Sequence, residues 1–253
     1  MELRLLGSTG IRVSLLGLGT VKFGRNEGVK YPSAFDLPDD GHVVALLEEA
    51  RGLGINLLDT APAYGSSEDR IGQLLPGSRD QWVIVSKAGE RFEGGQSHFD
   101  FSPGAIRASV EQSLRRLRTG YLDAVLLHSD GRGEEGDRFL PAIEALDDMK
   151  REGKLRATGF SGKTLAGGLK MVNCVDLLMV TYNPGQREEL PVIEAAARLG
   201  KGILVKKALA SGRAANPEQA LAEAAALPGV SGIVVGTLSA DNLRRNAKAV
   251  ARG

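Results

Sequence analysis

INLLDTAPAYG, residues 55–65, begins as an apolar run, stops at the carboxylate of Asp59 and reaches the phenol of Tyr64 after a short turn. A short run rich in Ile and Leu reads as a strand buried on both faces, as in a parallel sheet. Similar runs occur along the whole chain: VSLLGLG (13–19), WVIVSK (82–87), LDAVLLH (122–128), RATGFS (156–161), DLLMVTYN (176–183), ILVKKAL (203–209) and GIVVGT (232–237). Each of these segments is followed by a stretch with helical spacing. DDGHVVALLEEARGLG (39–54) places Val43, Leu46, Leu47 and Ala50 on one side and stops at glycine. Residues 102–120 open with Ser102 before Pro103, a cap followed by proline in the first turn, and then carry the stripe Ile106, Val110, Leu114 and Leu117. Further helices are expected in 66–75, 139–154, 164–172, 190–201, 217–229 and 239–251.

Eight strand candidates, each followed by a helix candidate, predict a (β/α)8 barrel formed by one domain spanning 1–253. The leading ELRLLGSTGIRVS (2–14) reads as a β-hairpin closing the barrel floor. An open doubly wound sheet uses the same alternation. It would need a glycine-rich fingerprint leading into a helix; in GLGTVKFG (17–24) the third glycine is misplaced and no helix is expected to begin there.

The 253 residues allow a sizeable core, and the single cysteine, Cys174, rules out an internal disulfide. A formal net charge of +1 argues against a nucleic-acid or membrane-surface partner. The first residues lack the regions of a signal peptide, and no apolar run approaches the roughly eighteen residues of a membrane span. A soluble, cytoplasmic protein is expected, and the oligomeric state is not legible. His42, His98 and His128 share no metal-ligand spacing with the cysteine. The chain has no nucleophile elbow and no phosphate-binding P-loop motif.

In a barrel of this kind chemistry sits at the C-terminal ends of the strands. The second strand ends at Asp59, with Tyr64 just beyond, the third at Lys87 and the fourth at His128. Four ionisable groups are thereby expected on one rim.

INLLDTAPAYG, VIVSKAG (83–89) and LDAVLLHSD (122–130) resemble the signature blocks of the aldo-keto reductase family. The resemblance continues through TGFSG, VTYNPGQRE, VKKALASG and GTLSADNLRRN. It implies hydride transfer between NADP(H), with NAD(H) as the alternative, and a small-molecule carbonyl or alcohol. It implies Tyr64 as proton donor, Lys87 as the cation that favours its ionisation, Asp59 as the partner of Lys87, and His128 as a hydrogen-bonding group for the substrate oxygen. Gly19 and Thr20 would approach the nicotinamide ribose and Ser161 the carboxamide. Leu209, Ser211 and Gly212 would face the pyrophosphate, Thr237 and Ser239 the 2′-phosphate, and Asn246 the adenine.

Several positions depart from the family pattern. Gly162 and Met179 replace amide side chains, Lys206 stands where an aromatic usually stacks on the nicotinamide, and Leu238 and Asn242 occupy the places of a common arginine. Lys206 either leaves the cofactor held differently or turns toward a phosphate. Phe23, Phe92 and Phe99 are candidates for the pocket wall. The sequence ends soon after its last helical segment, at AKAVARG (247–253), so an open pocket of broad specificity is expected. Oxidation of a sugar or polyol with NAD is the alternative enzymatic reading, and a non-catalytic NADP(H)-sensing regulatory subunit is the alternative outside enzymes.

Overall fold

The computed structural model describes residues 1–251; Arg252 and Gly253, which end the expected domain and the AKAVARG stretch, lie outside the described residues. Strands β1 (Leu3–Leu5) and β2 (Arg12–Ser14) pair antiparallel, with Leu3 opposite Ser14. β3 (Leu16–Gly19), β4 (Leu57–Asp59) and β5 (Val83–Ala88) begin a parallel sheet. A second hairpin, β6 (Glu90–Glu93) and β7 (Gln96–Phe99), follows directly. β8 (Leu122–His128), β9 (Leu155–Ser161), β10 (Leu177–Thr181), β11 (Gly202–Lys206) and β12 (Gly232–Val235) complete the sheet. β12 pairs back onto β3, Ile233 opposite Leu16, so β3, β4, β5 and β8–β12 close a barrel with its strands in sequence order.

The helices are α1 (Val21–Gly24), α2 (Asp40–Gly52), α3 (Ser67–Leu74), α4 (Pro103–Arg116), α5 (Leu140–Arg151), α6 (Leu165–Met171), α7 (Leu190–Arg198), α8 (Pro217–Ala225) and α9 (Ala240–Val250). α2 to α8 are the crossovers that parallel strands require, and α9 follows the last strand. Their caps follow the sequence: Asp39 accepts from His42 N, Ser102 from Ala105 N, Thr164 from Gly167 N, Asn216 from Gln219 N and Ser239 from Asn242 N. No described helix is long and apolar enough to cross a membrane.

The strands are apolar on both faces because each face has its own core. Leu58, Ile84, Val125, Leu127, Leu178, Val180, Ile203 and Val205 join the layer beneath the helices. Their neighbours along the strands, including Leu57, Val83, Val85, Leu126, Leu177, Met179 and Leu204, fill the barrel. That alternation is the two-residue period of a strand. Leu6, Ile11 and Val13 of the N-terminal hairpin enter the same interior cluster and are shut off from solvent. A Cβ on Gly202 would meet Leu6 Cδ1 at 2.8 Å, so the bottom of β11 is kept bare for the plug.

Two features depart from the expected elements. VSLLGLG divides between β2 and β3 at Leu15, just after Ser14, the last hairpin residue, whose hydroxyl accepts from the backbone N–H groups of Asn56 and Leu57. A helix does begin inside GLGTVKFG, but α1 is a single turn and carries no glycine-rich fingerprint. The β6–β7 hairpin was not anticipated; its turn is Gly94–Gly95, both at positive φ, the pair that a tight two-residue hairpin loop favours.

If Leu6 seals the barrel floor, Leu6→Ala should cost about 2–5 kcal/mol of unfolding free energy, read from urea denaturation. A loss well below that range would mean that the hairpin does not seal the floor.

Candidate active site

The register of the barrel brings the rim residues level. Gly19 pairs beside Asp59, Lys87 beside Leu126, His128 beside Ser161, and Thr181 beside Lys206. The strand-end residues singled out in the sequence therefore share one mouth. A cavity of about 910 Å³ opens there, lined by Asp59, Tyr64, Lys87 and His128.

Asp59 ends β4 because two sets of bonds hold it. Its backbone carbonyl accepts from both the N–H and the hydroxyl of Thr20, each at 2.9 Å. Its Oδ1 lies 2.5 Å from Lys87 Nζ, which also donates to the Thr60 carbonyl at 3.0 Å. The Lys87 side chain is 2% exposed and that of Asp59 6%. Burial alone would push the Lys87 ammonium toward losing its proton, but Asp59, with a contribution from Tyr64, holds it above the ordinary lysine value.

Tyr64 is placed by the turn that INLLDTAPAYG enters after its strand. Tyr64 N donates to Ala61 O, and Ser67 N donates to Tyr64 O. Gly24 and Gly65 let this turn lie directly on α1; a Cβ on Gly65 would meet Gly24 O at 2.1 Å. Lys87 Nζ lies 4.8 Å from the centre of the Tyr64 ring, and the His128 ring stands edge-on to it with centroids 6.4 Å apart. Burial raises the Tyr64 phenol above its usual value, and Lys87 opposes that rise. The lowering anticipated from the sequence is present as one contribution, but the phenol remains a proton donor at neutral pH.

His128 acquires a partner that the sequence reading missed. Its Nδ1 is 2.7 Å from Glu90 Oε2, although the carboxylate lies off the line of an N–H bond at Nδ1. Burial lowers the imidazole's proton affinity, reinforced by the charges of Lys87 and Lys206, while Glu90 works against it. Burial would raise Glu90, but His128, Ser97 and Arg25 together hold it down to about 2. The available signal was the Gly-Gly pair in ERFEGGQSHF, which announces a hairpin carrying Glu90 at the end of the third barrel strand.

The expected cofactor residues mostly meet in the same cavity. Gly19, Thr20, Ser161, Lys206, Leu209, Ser211, Gly212, Thr237, Asn242 and Asn246 line it. Ser239 is not on its wall; its hydroxyl caps α9 by accepting from Asn242 N at 3.2 Å. The Thr20 hydroxyl is committed to Asp59 O and also accepts from Ser67 Oγ. Arg245, one turn beyond Asn242, also lines the cavity and brings a guanidinium to this segment. Of the three phenylalanines, Phe99 is on the wall, Phe23 is wholly buried, and Phe92 lies against the Arg25 guanidinium at 3.4 Å.

Lys206 has its polar partners within the protein. It reaches past β10 to β9, donating to Ser161 Oγ at 2.9 Å and to Gly162 O at 2.7 Å. Burial lowers its ammonium to about 8, helped by Lys207 and Lys87 and opposed by Glu189. Gly162 has no room for a larger side chain, since a Cβ there would sit 2.6 Å from Phe160 Cε1. Met179 belongs to the barrel interior beneath. The loop after β11 is held in an unusual conformation, with Lys207, Ala210 and Ser211 at positive φ. Strain of this kind concentrates at ligand-binding loops. Arg213 then ties it to the β3–α2 loop by donating to Lys30 O at 2.9 Å.

These residues fit a dinucleotide. The cavity runs from Asp59 and Tyr64 to the first turn of α9, where the helix terminus favours an anion. Lys22, Lys30, Lys163, Lys206, Lys207 and Arg245 add positive charge along its wall. Among the described residues no group of three His, Cys, Asp or Glu side chains could hold a metal ion.

Breaking the central pair should be costly. Asp59→Asn leaves the Lys87 ammonium buried without its counter-charge and should lose about 3–5 kcal/mol at neutral pH. In that variant the folded state holds the lysine proton less tightly than the unfolded chain, so the loss should shrink as pH rises toward the ordinary lysine value. Urea unfolding at pH 7 and pH 9.5 measures both; an unchanged midpoint at pH 7 would show that the pair does not hold the rim.

Residues 15–225 match the profile of the aldo/keto reductase family. A putative aldo-keto reductase from Pseudomonas aeruginosa superposes with a TM-score of 0.89 at 52% identity, covering 99% of this chain and 94% of that one. An uncharacterised oxidoreductase of Bacillus subtilis is 30% identical over 83% of this chain and 68% of its own length. The L-galactose dehydrogenase of Arabidopsis thaliana is 36% identical over 65% of this chain and half of its own length. The closed barrel, the rim residues and these similarities agree: the chain is an oxidoreductase of the aldo/keto reductase family.

Proposed function

We propose that the protein reduces small aldehydes or ketones to alcohols with NADPH, with Tyr64 as the general acid. The observation that carries this reading is the buried Lys87–Asp59 pair set beside Tyr64 and His128 in one cavity. A reduced nicotinamide bound in this cavity supplies the hydride. The chain's own residues then have to bind the carbonyl oxygen, orient it and deliver a proton to it. Tyr64 keeps its proton until the oxygen becomes negative. Lys87, fixed as a cation by Asp59, stabilises the phenolate left behind. His128 stands beside Tyr64 and orients the same oxygen.

NADPH is preferred over NADH in this reading because of Arg245 and Asn242 near the start of α9 and the lysines along the wall. Leu209, Ser211, Gly212 and Asn246 would hold the remainder of the dinucleotide, with Thr237 beside the 2′-phosphate. Ser161 would reach the carboxamide only by sharing its hydroxyl with Lys206. Similarity to a sugar dehydrogenase keeps sugar oxidation as the second enzymatic reading. We read the whole chain as one cytoplasmic domain that needs no nucleic acid or membrane.

Two measurements test this. In an NADPH-oxidation screen over aldehydes, ketones and sugars, Tyr64→Phe should lower kcat/KM for the best substrate by about 10²–10⁴ and leave the cofactor Kd unchanged. Near-normal turnover in that variant removes Tyr64 from the role, and tight NADPH binding with no turnover by the unmodified protein favours a redox sensor. Arg245→Ala should weaken NADPH binding by about tenfold or more and leave NADH binding unaltered. An equal effect on both cofactors, or an NADH preference in the unmodified protein, refutes the 2′-phosphate assignment.

A further inference from the structure

We propose that Glu90 is a positioning residue that keeps a hydrogen on Nδ1 of His128 and so makes Nε2 the atom that titrates and meets the substrate oxygen. The kinetic part of this proposal rests on the carbonyl-reduction reading; the tautomer itself does not.

Gly94 and Gly95 form the tight turn of the β6–β7 hairpin, and the strands they join carry Glu90 and Ser97 to the mouth of the barrel. Ser97 Oγ donates to Glu90 Oε1 at 2.6 Å, and Arg25 Nη1 lies 3.9 Å from the same oxygen. Arg25 is itself braced by the carbonyls of Glu27, Gly28 and Ala63 and by the face of Phe92. Glu90 is thus a fixed, ionised carboxylate, and an ionised carboxylate can only accept hydrogen bonds.

Nδ1 of His128 lies 2.7 Å from the other oxygen, Oε2. A bare nitrogen lone pair at that distance from a carboxylate oxygen would be repelled, so Nδ1 must carry hydrogen. The oxygen lies off the N–H line, as partners of catalytic hydrogen bonds often do before substrate binds. A neutral His128 with hydrogen on Nδ1 has a lone pair on Nε2. In that state it accepts a hydrogen bond from an alcohol but cannot donate one to a carbonyl oxygen. Donation requires a second proton, at Nε2.

The groups around the ring oppose one another over that proton. Lys87 on β5 and Lys206 on β11 are cations that disfavour it, and burial adds to their effect. Glu90 on β6 favours it, with Arg25 behind it partly offsetting the carboxylate. Asp59 is neutralised by Lys87, and Tyr64, edge-on to the ring, is uncharged until it gives up its proton. Among the described residues, Glu90 is the carboxylate that lies against the imidazole. Carbonyl reduction should use the doubly protonated ring and fall as pH rises. Alcohol oxidation should use the Nδ1–H tautomer and rise with pH.

The test pairs heteronuclear NMR of the His128 imidazole in the full chain with pH–rate profiles of the unmodified protein, Glu90→Gln and Glu90→Asp. The proposal expects a protonated Nδ1 in the neutral form of His128. It expects Glu90→Gln to move the His128 titration and the falling limb of the reduction profile down by about one pH unit, a roughly tenfold rate loss near neutrality. That loss should be recovered at low pH, and Glu90→Asp should lie between the two. An Nε2–H tautomer in the unmodified protein overturns the proposal. So does a Glu90→Gln loss that is the same at every pH, as a disordered hairpin would give. A protein that turns over no carbonyl yet shows the Nδ1–H tautomer would remove the proposed reaction and leave the assignment of Glu90 standing.

Discussion

Lys87 places a positive charge where almost no water reaches it, and the architecture of the rim follows from that demand. A buried ammonium is tolerated only when a counter-charge and acceptors surround it. Asp59 supplies the charge and Thr60 an acceptor, so β4 has to end level with β5, with its last side chain turned toward the neighbouring strand. Thr20 holds that end from β3 by bonding the Asp59 carbonyl, and Ser67 holds Thr20 from the start of α3. The same bonds carry the chain into the turn that sets Tyr64 over Lys87.

A second constraint is the crowding of positive charge. The mouth gathers Lys22, Lys30, Lys87, Lys163, Lys206, Lys207 and Arg245, on a chain whose formal net charge is only +1. Charges so gathered repel, and the molecule relieves them in different ways. Lys87 is matched by Asp59, Lys22 lies over the Tyr31 and Phe35 rings, and Lys206 spreads its protons over Ser161 and Gly162 O. An anionic ligand would relieve the rest. Lys206 and Gly162 fit one another: the lysine donates to the Gly162 carbonyl, and a Cβ at Gly162 would meet the Phe160 ring.

The barrel was legible because its information is local and periodic. Val43, Leu46, Leu47 and Ala50 face the core by helical spacing, and most crossovers carry a stripe or cap of that kind. Asp59, Lys87 and His128 were legible because the end of an apolar run marks the end of a strand, and strand ends in a barrel form one rim. Glu90, Arg245 and the course of Lys206 were not. Glu90 comes from a hairpin outside the β/α alternation, Arg245 is one of two adjacent arginines whose facing depends on how α9 lies, and Lys206 reaches across a strand. Ser239 shows its cap signal directly: Oγ accepts from Asn242 N, which leaves the hydroxyl proton to donate elsewhere.

The sequence by itself determined the class of fold and the rim that gathers Asp59, Lys87 and His128, because periodicity and strand ends are properties of short segments. Only the tertiary structure decided which groups face one another. That Glu90 lies against His128, that Lys206 occupies Ser161 and that burial outweighs Lys87 at the Tyr64 phenol all depend on distances between segments far apart in the chain. Charge interactions change steeply over a few ångströms in a dry cavity, and no pattern along the sequence specifies those distances.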